Sequence, residues 1–250
     1  MNYRMILTAA ALGLVLVTSS LHAQRGGGRG AAPPAAARQS APIDLQGYWV
    51  SVITEDWRLR MVTPAKGVYD TLTLNPAGRK VGDSWDPAAD EKSGDVCKAY
   101  GAPALMRLPT RLHITWENDN TLKIDTDTGT QTRRFHFDAA TPGEPTWQGN
   151  SVASWEYGPG GQRGARTGNL KVVTTNLRAG YIRKNGAPHS DKAVITEYYD
   201  VNTAPNGDQW MTITTRIEDP VYFTRPLINT TDFKKLPSEA GWNPTPCSAK

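Results

Sequence analysis

The stretch "NGAPHSDKAVITEYYD", residues 185–200, sets His189, Ser190 and Asp191 side by side, the three residue types of a hydrolase triad. Three adjacent residues do not make a triad among themselves. Successive side chains of an extended chain point to opposite faces, whereas nucleophile, base and orienting acid must converge. Nor does the chain contain a G-x-S-x-G elbow to present a nucleophilic serine. Pro188 restricts Ala187 to extended backbone, and Ser190 or Asp191 is suited to hydrogen-bonding the local backbone where a strand begins. His189 keeps its interest, because a histidine at a barrel rim acts as general acid or base near neutral pH. The plain alternative is a hydrogen-bonded structural imidazole.

The hairpin that follows supplies the partners. If Asn202 pairs with Gln209 across "APNGD", Glu197 lies opposite Thr214 and diagonal to Arg216. One face then carries Ile195, Glu197, Tyr199, Trp210, Thr212, Thr214 and Arg216, aromatic surface with a few polar groups, which is the composition of a small-molecule pocket. The other face carries Val194, Thr196, Tyr198, Met211, Ile213 and Ile217 and reads as packing. A slip of one residue undoes this division. In "QTRRFHF", Arg133 and Arg134 precede Phe135, so one of them faces inwards. A buried arginine needs a carboxylate, and Glu117, Glu156, Glu197 and Glu218 are the candidates. An inward arginine also anchors an anionic ligand. The candidate ligand-binding set is therefore His189, Glu197, Tyr199, Trp210, Arg216 and Arg134, and the candidate acid–base set is His189 with Glu197 or Glu218. An exterior Glu–Arg pair and a structural salt bridge are the alternatives.

Metal chemistry finds little to build on. His113, His136 and His189 remain after a leader is removed, and no H-x-H, H-E-x-x-H or C-x-x-C spacing occurs. No metal and no cofactor are expected. The two cysteines, Cys97 and Cys247, read as one disulfide in an oxidising compartment, tying the tail "GWNPTPC" to the loop "GDVCKAYG".

The compartment follows from the first residues. "MNYRMILTAAALGLVLVTSSLHAQ" has a basic start at Arg4, an apolar run over residues 6–17 and a small-residue cleavage site ending at Ala23. Residues 1–23 thus read as a secretory signal, too short to span a membrane, and the product as periplasmic or secreted. Residues 24–42, rich in Gly, Pro and Ala, read as a flexible tether. Residues 43–250 form one domain. The formal charge of +4 comes from Arg4, Arg25, Arg29 and Arg38, all before Ile43; without them 24 basic residues face 24 acidic ones. A formally neutral domain has no basic face for phosphate backbones, so nucleic acid is not an expected partner.

Within the domain the period is mostly two. "LQGYWVSVI", "YDTLTL", "RLHITWE", "TLKID", "GTQTRRFHFD", "SVASWEY", "LKVVTTN", "AVITEYYDVNT", "QWMTITTRIED" and "PLINTTDFKK" read as strands, with the glycine-rich "GPGGQRGARTGN" as a long hairpin loop. "NPAGRKVGDSWDP" reads as one helix, capped by Asn75, begun by Pro76 and carrying Ala77, Val81 and Trp85 as its buried stripe.

Two resemblances fit this pattern. Gly47-Tyr48-Trp49 on the first strand resembles the G-x-W signature of lipocalins. That likeness implies an up-and-down barrel in which the tryptophan closes one end under an arginine from a late strand, here Arg216 or Arg225. The blocks "LNPAGR", "WDPAAD", "YGAPALMRLP", "WQGNSVASWE", "NGAPHSDKAVITEYYD" and "IEDPVYFTRP", with Cys97, resemble in order those of a family of secreted bacterial proteins. That likeness implies a one-domain secreted protein and carries no reaction with it. The glycine-rich insert at residues 158–168 departs from the family's pattern.

The expected fold is all-β, an antiparallel lipocalin-like β-barrel with one accessory helix. The expected function is binding of a small, partly apolar molecule. A barrel enzyme (isomerase, lyase or hydrolase) and an envelope protein-interaction module are the alternatives. A closed cavity containing His189 would favour the enzyme, a dry cavity without titratable groups the binder, and a packed interior with an exposed apolar patch the interaction module.

Overall fold

A computed structural model describes residues 35–138, 141–158 and 167–250. The signal reading, most of the tether and the centre of the glycine-rich loop lie outside these residues. Among the described residues nine strands close into a barrel: β1 (Gly47–Val52), β2 (Arg111–Asn118), β3 (Thr121–Thr126), β4 (Thr132–His136), β5 (Asn150–Tyr157), β6 (Gly168–Thr175), β9 (Val194–Thr203), β10 (Gln209–Glu218) and β11 (Leu227–Leu236). A separate two-stranded ribbon, β7 (Gly180–Tyr181) with β8 (Pro188–His189), lies outside the barrel sheet.

Alternation explains the closure. Leu112 and Ile114, Leu122 and Ile124, Arg133 and Phe135, Ile195, Glu197 and Tyr199, and Met211, Ile213, Thr215 and Ile217 all point inwards and are buried. Their neighbours along each strand are more exposed, as a period of two requires.

The barrel is mixed rather than wholly antiparallel, because β4 and β5 pair in parallel, Phe135 beside Ser151 and His136 beside Val152. A parallel pair needs a crossover instead of a hairpin, and residues 137–149 carry the chain back to the end where β4 began.

That end, where β1 finishes and β2 begins, is plugged. The chain between these strands forms α2 (Trp57–Arg60), α3 (Pro76–Asp83), α4 (Pro87–Ser93), a 3-10 turn (Lys98–Tyr100) and α5 (Ala102–Leu105). The single accessory helix of the sequence reading is therefore one of several. Apolar residues of the last two segments, Ala99, Tyr100 and Leu105, with Met106, enter the same core as the barrel side chains. "YDTLTL" is not a strand; it contributes only an isolated bridge from Leu74 to Phe223. α3 begins as expected, with the Asn75 carboxamide accepting from the Gly78 N–H at 2.9 Å. Its buried face is Gly78 and Gly82, not Ala77 and Val81. A Cβ on Gly82 would stand 2.3 Å from the Tyr69 hydroxyl, so the helix packs closer than any larger side chain allows.

The opposite end is covered by the start of the domain. Residues read as the end of a tether form α1 (Ala37–Ser40), held by Ala37 N–H to Asn120 Oδ1 (2.9 Å) and Trp155 Nε1–H to the Ala37 carbonyl (2.8 Å). Trp116, Phe137 and Trp155 form an aromatic cluster nearby.

Cys97 and Cys247 are bonded, with Cα atoms 5.1 Å apart and a sequence separation of 150. The bond fastens the C-terminal tail to the plug. Closing so long a loop restricts the unfolded chain. Reduction, or Cys247→Ala, is expected to lower stability by ~2–5 kcal/mol, read as a drop in urea midpoint. A midpoint indifferent to reductant would show that the bond contributes nothing.

Candidate functional site

The barrel interior is occupied by an ion pair. Arg133 on β4 and Glu197 on β9 are both fully buried side chains. Arg133 Nη1–H donates to Glu197 Oε1 at 2.9 Å and Nη2–H to Oε2 at 2.6 Å, a bidentate clamp. Nη2 also reaches Thr174 Oγ1 at 3.2 Å, and Thr174 meets Ser151 at 2.8 Å. The Tyr199 hydroxyl donates to Glu197 Oε1 at 3.3 Å. Burial works against the guanidinium charge, but the adjacent carboxylate outweighs it and holds Arg133 charged. Burial, and then Glu197, push the Tyr199 phenol well up, so it stays a neutral donor. The inward arginine and its carboxylate are thus Arg133 and Glu197, while Arg134 points outwards, half-exposed, and pairs with Glu117 at 2.9 Å.

The register of β9 and β10 differs by one residue from the reading above. Asn202 lies beside Trp210 and Glu197 beside Thr215. Glu197 and Tyr199 stay inside, joined by Thr215 and Ile217. Trp210 and Arg216 therefore turn to the outside, and Arg216 pairs there with Glu218. They line no lumen, and Arg134, Trp210 and Arg216 leave the interior binding set.

His189, on β8, is 1 % exposed and sits beside the plug, not in an open mouth. Its Nδ1–H donates to the Ser190 carbonyl at 3.1 Å, which fixes the tautomer. Nε2 is buried without a hydrogen-bond partner. A Cβ on its ribbon neighbour Gly180 would lie 2.9 Å from that nitrogen, so the glycine makes room for the ring. Burial lowers the imidazole pKa below its usual value and keeps the ring neutral. Neither Glu197 nor Glu218 contacts it: the first is held by Arg133 and the second by Arg216. The acid–base couples read from the sequence are not assembled.

Ser190 is bound elsewhere. Its N–H and Oγ–H both donate to Asp219, at 2.6 and 2.8 Å. The same carboxylate accepts from the Val221 and Tyr222 N–H groups at 2.9 and 3.2 Å. The aspartate that matters is Asp219, while Asp191 lies exposed beside Lys192. A serine locked to a carboxylate that also organises a turn is a staple between two loops. The sequence signal for it was "EDP", an acid immediately before the proline that ends a strand.

Above this staple the rim is open. Where β9 begins and β10 ends, a cleft of about 430 Å³ is lined by residues including Lys192, Val194, Glu218, Phe223, Arg225 and Pro226. Among the described residues the Arg225 guanidinium has no ion-pair partner, and no group of three or more His, Cys, Asp or Glu is placed to hold a metal. Trp49 is fully buried, donates from Nε1 to the Leu45 carbonyl at 2.8 Å and lies under the Lys235 ammonium, 5.3 Å from the ring centroid. The cation over this tryptophan is a lysine of β11, not Arg216 or Arg225. Compared with protein-family models, curated proteins and solved structures, the chain matches none of them.

Two outcomes follow. Glu197→Ala strands a buried guanidinium and is expected to cost ~3–5 kcal/mol, most of it recovered when Arg133→Met accompanies Glu197→Leu; chemical denaturation of the two variants beside the parent protein checks this. His189 has a folded pKa below its unfolded 6.5, so the stability it supports is present above pH 6.5 and falls as pH drops through the folded value. His189→Gln is expected to flatten that part of the stability–pH curve.

Proposed function

We propose that this protein is a periplasmic or secreted, lipocalin-like binding protein for a small, partly apolar molecule, held in the rim cleft beside Ser190 and Asp219 and not in the barrel lumen. The observation that carries this reading is the cleft itself. Its 430 Å³ falls among ordinary ligand sites of roughly 300–1,000 Å³, and it joins apolar walls (Val194, Phe223, Pro226) to a few charged groups. The lumen is a poor host, because the Arg133–Glu197 clamp and the surrounding core fill it. Arg225 is the group best suited to fix an anionic or hydrogen-accepting end of the ligand.

A tryptophan sealed under a cation on a late strand supports the lipocalin-like description. The disulfide and the signal-like first 23 residues support export. The enzyme reading has less to draw on, since His189 is buried, neutral and apart from Glu197 and Glu218. The interaction-module reading keeps one specific observation: Trp57, Met61 and Val62 are 56, 58 and 66 % exposed and close in sequence.

Native mass spectrometry of protein purified from its own envelope is expected to show a retained small molecule. Thr224→Trp, which fills the cleft from an exposed position, is expected to abolish retention. Arg225→Ala is expected to weaken binding about tenfold, the worth of one charge-assisted hydrogen bond. Retention unchanged in both variants would remove the rim cleft from consideration.

A further inference from the structure

A second, smaller cleft lies between the plug and the β7–β8 ribbon, and its chemistry is different. Arg60 from α2, Arg107 just after α5, and Arg183 and Lys184 from the β7–β8 turn all line it. Arg60 is 8 % exposed; its Nε–H donates to the Arg107 carbonyl at 2.9 Å and one Nη is paired with Glu55. Arg107 Nη2–H donates to Asp56 at 2.8 Å. Arg183 reaches the Asp70 carbonyl at 2.9 Å and Thr71 Oγ1 at 2.7 Å, and pairs with no carboxylate among the described residues. Four cations thus meet two directly paired carboxylates, Glu55 and Asp56, with Asp70 and Asp232 acting from farther off.

Two donors are left over. Arg60 Nη2 and Arg107 Nη1 are buried with no hydrogen-bond partner. Nitrogen donors of a charged group withdrawn from water and left unmade are costly, and like charges packed together add to the cost. Burial, and then the neighbouring Arg107, lower the Arg183 pKa to about 10. Backbone strain is concentrated at the same place. Asp56 and Thr71, the residues that hold Arg107 and Arg183, both have positive φ, 51° and 68°. Such conformations cost ~1–3 kcal/mol each and persist where the surroundings impose them.

The geometry points to a binding site for a doubly charged tetrahedral oxyanion, a phosphate or sulfate group, held by Arg60 Nη2, Arg107 Nη1 and the Arg183 guanidinium. Only two of the four cations' carboxylate neighbours, Glu55 and Asp56, make direct ion pairs, and Asp70 and Asp232 offset the rest from a distance; an anion entering the cleft would meet guanidinium forks that match its oxygens. The cleft offers about 40 Å³, room for about three oxygen-sized atoms at ~10–15 Å³ each, so three of the oxyanion's four oxygens seat among the guanidiniums and the fourth stays at the mouth. Only the anionic group enters, whether free or at the end of a larger molecule. The site is separate from the rim cleft and stands or falls independently of it.

The test is thermal shift and calorimetry on the full chain at fixed ionic strength. The probes are inorganic phosphate and sulfate, with chloride and acetate as controls and glycerol phosphate as the monoester arm. Phosphate and sulfate are expected to raise the melting temperature saturably, and the controls are not. Tighter binding of glycerol phosphate than of inorganic phosphate assigns the anion to a larger molecule, and weaker binding assigns it to the free ion. Arg60→Met removes a buried, ion-paired side chain and changes stability by itself, so Arg183→Gln carries the test. Arg183→Gln is expected to weaken phosphate at least tenfold, read by calorimetry and by the phosphate shift relative to the variant's own phosphate-free melting temperature. No saturable shift, an equal shift with acetate, or an unchanged phosphate affinity in Arg183→Gln would overturn the assignment.

Discussion

The arrangement of the barrel turns on the buried Arg133–Glu197 clamp. Two charges taken out of water need each other, and their hydrogen bonds fix more than their own positions. The pair links β4 to β9 across the interior, draws in Thr174 from β6, Ser151 from β5 through Thr174, and orients Tyr199. One slip of register on either strand would swap Glu197 or Arg133 for an outward neighbour and leave a charge unpaired. The clamp therefore specifies the register that apolar alternation alone only favours. It also decides what the lumen is for. An interior bridged by an ion pair is a core, and the clefts described above lie outside it.

Both clefts lie at the plugged end. The long connections between β1 and β2, between β6 and β9, and between β10 and β11 all gather there, and short hairpin turns serve most of the other end. Loops on a rigid sheet are free to vary in shape, which is why sites sit on them. The same crowding has a cost. Polar groups of the loops must be satisfied away from water, and Asp219 does so by accepting from Ser190, Val221 and Tyr222 together.

How much of this was legible in the sequence depends on distance along the chain. The period of two located each barrel strand but not which face of β4 turns inwards, so Arg134 was placed in the binding set where Arg133 belongs, and the Asn75–Pro76 pair located the start of α3. The need of a buried arginine for a carboxylate narrowed the partner of the inward arginine, whichever of the two it is, to four glutamates, Glu197 among them. The facing of β10 was misread because "APNGD" permits two registers, and nothing local distinguishes Asn202 beside Gln209 from Asn202 beside Trp210. The parallel β4–β5 contact was hidden because a crossover and a hairpin loop have the same polar composition. Arg60, Arg107 and Arg183 were invisible as a group. Each stands in a short irregular segment, and only the folding of the plug onto the β7–β8 ribbon brings them to one cleft.

The bond between Cys97 and Cys247 has a consequence for survival wherever a protease is met. Every barrel strand from β2 to β11 lies between the two cysteines, and so do the hairpin turns that a protease would reach first. A single cut in any of them yields two fragments that remain covalently joined, with their strands still paired across the cut. The nicked molecule keeps its barrel closed and loses neither half by diffusion, so one cleavage is not enough to dismantle it.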